Sequence, residues 1–255
     1  EPTPEPSPEP SPVPTPSGPW YQAALDFACD HRILLGDPSG NMMPNDNATR
    51  AQMAAMLVRV FGCTASKDIA HFTDVSTTAW YYSELSTAAQ MNIFNGYGDG
   101  TMGPNRSITR QEAMVVIARA FAVPDGTAAD IQAFRDASSV GSWAVAKVGG
   151  LVKAGIVNGD NGSLYPTASI TRAEIAQMLY NLGLQFCSDA AALPASGRVI
   201  YTGATPLTAD AFTGTLYLGG PAGRDLGGMN ITGTLVVRTD PNGTVTVGGT
   251  VDTLP

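Results

Sequence analysis

"SITRQE", residues 107–112, decides how this chain is read. Thr109 stands where a helix can begin, and Glu112 follows three positions later. That is the spacing of a capping box, in which the cap and the third residue satisfy each other's backbone N–H groups. Nearly the same letters return as "SITRAE" at 169–174 and "NATRAQ" at 47–52. The box accounts for the Thr and the acid. It does not account for an Arg in the same slot each time, because the positive end of a helix dipole favours acids there.

Working outward, three further markers keep register with the box. Trp20, Trp80 and Trp143 are the only tryptophans, and a glycine stands sixteen residues after each, at Gly36, Gly96 and Gly159. A proline follows at Pro44, Pro104 and Pro166, and six residues later comes the Arg: Arg50, Arg110 and Arg172. The third unit is one residue shorter between Gly and Pro. Markers held in register three times signal an internal triplication.

Each unit reads as helix, loop, helix. After Trp80 the apolar positions Leu85, Ala88, Ala89, Ile93 and Phe94 fall near helical spacing. "NGYGDGTMGPN" breaks the pattern with Gly and Pro. The second helix opens at the capping box and carries Ala113, Val116, Ile117 and Ala120 on one stripe. Two short helices cannot enclose a core alone, so the units must pack on one another. With three copies, a compact pseudo-threefold arrangement is the expected solution.

At this point the units resemble the S-layer homology domain family. The stretch from "FTDV" through Trp80, "GYGDGTMGP" and "ITRQE" follows that family's pattern; "FRDA", Trp143 and "ITRAE" follow it in the third unit, and the first fits from Trp20 onward. The resemblance implies a mainly α fold, a three-pronged pseudo-trimer with ligand grooves between repeats. It also implies a non-catalytic module that holds exported proteins on the bacterial surface or cell wall. The implied partner is a secondary cell-wall polysaccharide ending in pyruvylated N-acetylmannosamine. The expected units are a linker over 1–18, repeats over 19–63, 71–124 and 134–186, and a β-rich segment over 195–255.

The expected ligand-binding residues are Arg50, Arg110, Arg172, Trp20, Trp80, Trp143, Gly36, Gly96, Gly159, Asp74 and Asp136. A pyruvate ketal carries a fixed carboxylate, which suits a helix N-terminus with free N–H groups and the planar fork of an Arg. A Trp offers an apolar face to a sugar, a Gly lets the ligand approach backbone, and an Asp accepts from hydroxyls. Scaffold roles remain open beside these. Each Trp could fill the core, each Gly could be a left-handed helix C-cap, and each Asp could cap a turn. The Arg residues could pair with acids of other repeats. The first unit lacks the Asp and has Gln52 in place of Glu112 and Glu174, so fewer than three equivalent grooves are expected.

The rest of the chain sets limits. A formal net charge of −8 with 14 Lys and Arg argues against nucleic-acid binding. No apolar run approaches the ~18 residues of a membrane span. The chain starts at Glu1 with no signal peptide visible, so it reads as cut from something longer. "EPTPEPSPEPSPVPTP", residues 1–16, favours an extended polyproline spacer of the kind that suits crossing a cell wall. Cys29, Cys63 and Cys187 form no metal-binding pair and read as small buried hydrophobes. No metal, cofactor or catalytic constellation is expected; His31 and His71 have no nucleophile nearby, and the Gly-rich loop lacks the ligand pattern of a calcium site. Over 195–255, short Val-, Thr- and Gly-rich runs point to a β-solenoid or a small sandwich, with a turn at "DPNG", 240–243. A protein–protein assembly unit of a surface layer or larger surface complex is the alternative function.

Overall fold

The computed structural model describes residues 18–37, 39–207, 211–220, 224–226, 228–239, 245–246 and 250–253. The Pro-rich stretch and the "DPNG" turn lie outside these residues. Seven α-helices come first among the described residues: α1 (Gln22–Asp30), α2 (Arg50–Phe61), α3 (Tyr82–Gln90), α4 (Arg110–Ala120), α5 (Ala128–Ile131), α6 (Val145–Lys153) and α7 (Arg172–Asn181). None of them is long and apolar enough to cross a membrane.

All three capping boxes form. Thr49, Thr109 and Thr171 accept from the N–H groups of Gln52, Glu112 and Glu174, whose side chains accept from the cap N–H in return. The first helix of each repeat ends sooner than its apolar spacing suggests. Asn92 turns left-handed (φ 57°), and Ile93 and Phe94 bend back so that both N–H groups reach Ala88 O. Arg32 and Gly155 make the same turn before Ile33–Leu34 and Ile156–Val157. Those pairs are buried although they lie past the helix end, so they mimic a helical stripe in the sequence.

The repeats are interlocked in a cycle. α3 of the second repeat packs on α2 of the first, α6 of the third on α4 of the second, and α1 of the first on α7 of the third. At the centre, three backbone bonds close a ring: Ile108 N donates to Ala48 O, Ile170 N to Ile108 O, and Ala48 N to Ile170 O. The first N–H groups of each second helix also cross to a neighbour. Arg50 and Ala51 donate to Arg106 O and Pro104 O, Arg110 and Gln111 to Ala168 O and Pro166 O, and Arg172 and Ala173 to Asp46 O and Pro44 O. The expectation of free N–H groups at these helix starts is therefore corrected. The orphan donors of a helix N-terminus are filled here by loop carbonyls of the next repeat.

A five-stranded parallel sheet follows, in the order β1 (Leu184–Cys187), β2 (Ser196–Tyr201), β3 (Ala211–Leu218), β5 (Asn230–Val237) and β7 (Val251–Thr253). A second pair joins β4 (Arg224–Asp225) to β6 (Val245–Thr246), also in parallel. The sheet begins eleven residues before position 195, inside the segment assigned to the third repeat. Like residues stack in register: Gly197, Gly214 and Gly233 form one row, and Leu216 and Leu235 meet in another. At Gly214 the backbone takes φ 124°, and a Cβ would strike the carbonyl of Gly197, so only glycine fits the row.

The sheet packs on the helices through the ends of α2 and α4. Tyr217 meets Phe61 and Phe121 ring to ring, and its hydroxyl donates to Phe121 O. Arg238 donates to Ala120 O and Arg119 O, closing the C-terminus of α4. Burial pushes the Tyr217 hydroxyl up to about 12. In the unfolded chain it ionises near 10, so the unfolded state loses this proton first. The stabilisation is whole below pH 10 and is lost as pH rises toward 12, by about 2–3 kcal/mol. Urea titrations across that window should show this decline, and Tyr217→Phe should flatten it.

Candidate functional site

The Arg of each box is a buried side chain: Arg50, Arg110 and Arg172 are 5%, 8% and 6% exposed. Each one spans two repeats. Nε of Arg50 donates to Met102 O, Nε of Arg110 to Leu164 O, and Nε of Arg172 to Met42 O, at 2.8–2.9 Å. Nη2 of Arg50 reaches Asn95 O and Nη2 of Arg172 reaches Leu35 O. Burial draws the pKa values of Arg50 and Arg172 down from the ordinary value. That value is so high that both keep their charge.

Here the capping-box acids acquire a second task. Glu174 Oε2 closes its own cap while Oε1 takes Arg110 Nη1 of the preceding repeat. Glu112 Oε2 closes its cap while Oε1 accepts from the Tyr97 hydroxyl and stands 3.8 Å from Arg50 Nη1. Gln52 holds the equivalent place before Arg172. Its one carbonyl oxygen accepts from Thr49 N, and Arg172 forms no ion pair among the described residues. Two of the three arginines thus form close contacts with capping-box acids of other repeats, whereas Arg172 feels Asp46 of the first repeat without forming an ion pair among the described residues.

The Asp residues hold the loop that holds the Arg. Asp74 accepts from Met102 N and Gly103 N, and Asp136 from Leu164 N and Tyr165 N, at 2.7–2.8 Å. The same Met102 and Leu164 peptides present their carbonyls to Arg50 and Arg110. Both carboxylates are therefore engaged by backbone, the scaffold role that stood beside the expected contact with sugar hydroxyls. In the first repeat Asp37 grips its own loop through Ser39 N and Asn41 N.

Gly96 and Gly159 permit close approach. A Cβ on either would collide with the ring of Phe72 or Phe134, the aromatic residue two positions before Asp74 or Asp136. Gly36 meets the backbone of Gly40 and Asn41 in the same way. None of the three is a helix C-cap. The tryptophans are exposed at 65%, 59% and 56% for Trp20, Trp80 and Trp143, so none of them fills the core.

These residues converge on two cavities. One, about 360 Å³, is lined by Gly36 and Gln52 of the first repeat, Trp80 of the second and Arg172 of the third. The other, about 740 Å³, is lined by Trp20 of the first repeat, Arg110 of the second, and Gly159 and Glu174 of the third. At the corresponding third position the Tyr97 ring covers Arg50, 4.3 Å from its guanidinium carbon, with Arg106 4.4 Å from the same ring. Tyr97 stands where the other loops have Asp37 and Asp160. Trp143 borders Gly141, whose N–H donates to Gln111.

The expected site residues did not include Tyr97, Arg59 or Asn181, and Gln52 stood there only as a difference between the copies. Tyr97 and Gln52 depart from their counterparts in the other repeats, and that departure was the signal. Arg59 and Asn181 stand nine residues after Arg50 and Arg172, and each lines one cavity. Their common offset was the only sign of them.

Known proteins support the repeat register. A family model described as the S-layer homology domain matches residues 15–54, 71–114 and 133–176, half of the chain. The 125 kDa surface-layer protein of Lysinibacillus sphaericus is 32% identical over 158 residues, 60% of this chain and 13% of that protein. The cellulosome-anchoring protein of Acetivibrio thermocellus is 31% identical over 58% of this chain and 34% of its own length. An amylopullulanase of Thermoanaerobacterium thermosulfurigenes is 29% identical over 64% of this chain and only 9% of the enzyme. The chain therefore spans 34% or less of each of these relatives.

Proposed function

The chain belongs to the S-layer homology domain family, whose modules anchor proteins at the bacterial cell surface, and from that premise we propose that its inter-repeat cavities bind an acidic cell-wall polysaccharide. The ligand is a secondary wall polymer ending in pyruvylated N-acetylmannosamine. The three repeats act as one pseudo-trimeric unit, and the parallel ladder at the C-terminus acts as rungs of a β-solenoid braced against it. The observation that carries this reading is that each cavity takes its Arg, its Gly and its exposed Trp from three different repeats. A sugar ring stacks on the indole, and a ketal carboxylate faces the guanidinium fork.

The module is non-catalytic. Of the acids beside the cavities, Glu174 is held by its cap and Arg110 and Asp37 by its loop, which leaves Asp160 without a second free carboxylate in its cavity. Glycoside hydrolysis needs one carboxylic acid free to give a proton and a second free to attack or to activate water.

Sedimentation with purified wall polymer tests the reading. The chain should co-sediment with native polymer and stay in solution after the pyruvate is chemically removed. Equal retention by the stripped polymer would sink the carboxylate mechanism.

A further inference from the structure

The three repeats share one architecture but not one charge. In two of them the capping-box Glu neutralises the Arg of the preceding repeat, as Glu112 does for Arg50 and Glu174 for Arg110. Gln52 cannot do so for Arg172, whose opposite charge, Asp46 of the first repeat, lies outside ion-pair distance. An amide brings no charge, and its oxygen is already engaged by Thr49 N. Nη1 of Arg172 has no hydrogen-bond partner among the described residues. Arg59 lines the same cavity and adds a second cation, where Asn181 stands in the larger one. The smaller cavity is thus lined by two Arg and one Asp, and the larger by one Arg, one Glu and one Asp.

Resting on the glycan-binding reading above, we infer that the chain has a single acidic-sugar site, the Arg172 cavity, and that Gln52 and Arg59 are the residues that make it so. A carboxylate entering the Arg110 cavity meets a guanidinium already paired with Glu174, and like-charge juxtaposition opposes it. That cavity takes uncharged sugar residues instead. At Arg50 the Tyr97 ring occupies the place of the ligand. The volumes agree. At about 360 Å³ the Arg172 cavity is at the small end for ligand pockets and suits one terminal sugar, while about 740 Å³ leaves room for more of the chain. The first repeat lacks the Asp of its fellows, yet the cavity at its loop is the one whose lining has more cations than anions.

The test is calorimetric titration of the full chain with the pyruvate ketal of N-acetylmannosamine, with N-acetylmannosamine itself as the uncharged control. One ketal should bind per chain. Gln52→Glu should weaken it about tenfold or more, by supplying the missing counter-charge. The fold should survive, because Glu already serves this box in the other two repeats. Arg59→Gln should weaken the ketal severalfold, and by more than it weakens the control sugar. If the wild-type chain binds the ketal and both variants bind it equally well, this inference alone is overturned. If the wild-type chain does not bind it, the glycan reading falls as well.

Discussion

Arg50→Ala should destabilise the chain by about 3–5 kcal/mol, the range for removing one partner of a buried ionic contact. Arg50 is 5% exposed, and its guanidinium bonds Met102 O and Asn95 O across the repeat boundary. It lies 3.8 Å from Glu112 and against the rings of Phe94 and Tyr97. Truncation leaves two carbonyls without their donor and Glu112 without its counter-charge, and leaves a void between the rings. Arg50→Lys should recover only part of the loss, because one ammonium cannot reproduce a planar fork that serves two carbonyls. Urea unfolding measures both variants. An unchanged midpoint for Arg50→Ala would show that the contacts are dispensable.

Trp80→Ala should have the opposite signature. The indole is 59% exposed and borders the Arg172 cavity, so little packing is lost with it. Stability should move by no more than about 0.5 kcal/mol, as for most surface changes. Polymer affinity should fall by about 2 kcal/mol, roughly thirtyfold, the scale of an aromatic hot spot. Trp80→Phe keeps a ring face and should recover a good part of it. A variant that unfolds would make Trp80 scaffold, and one that binds normally would remove it from the site.

The contrast between these two variants explains what the letters could convey. The register of Trp, Gly, Pro and Arg exposed the triplication, and Thr109 with Glu112 placed a helix start to the residue. Periodicity and capping act over a few residues, so one copy suffices to see them. Partnerships between copies are different. Arg110 meets Glu174 sixty-four residues away, and Asp136 holds a loop twenty-eight residues on. A repeated motif gives the same letters whether a side chain faces its own copy or the next. Among the departures that broke that symmetry, Gln52 is as a cap an ordinary variant and as a counter-ion a deletion. The sheet was legible as strands, but its parallel order depends on pairings between segments spaced 14–20 residues apart. Alternation within a strand does not reveal that order.

The ring of bonds among Ala48, Ile108 and Ile170 sets the number of copies. An open stack can gain a repeat at either end, since its last face is always free to accept another. A closed cycle has no such face. A fourth copy inserted here would find every donor of the ring engaged, and a chain with two would leave a donor and an acceptor unmatched at its centre. The ring thus favours copies of this unit in complete sets of three. A longer or stronger attachment must come from a second whole set, or from several chains holding one polymer together, where avidity multiplies what a single set provides.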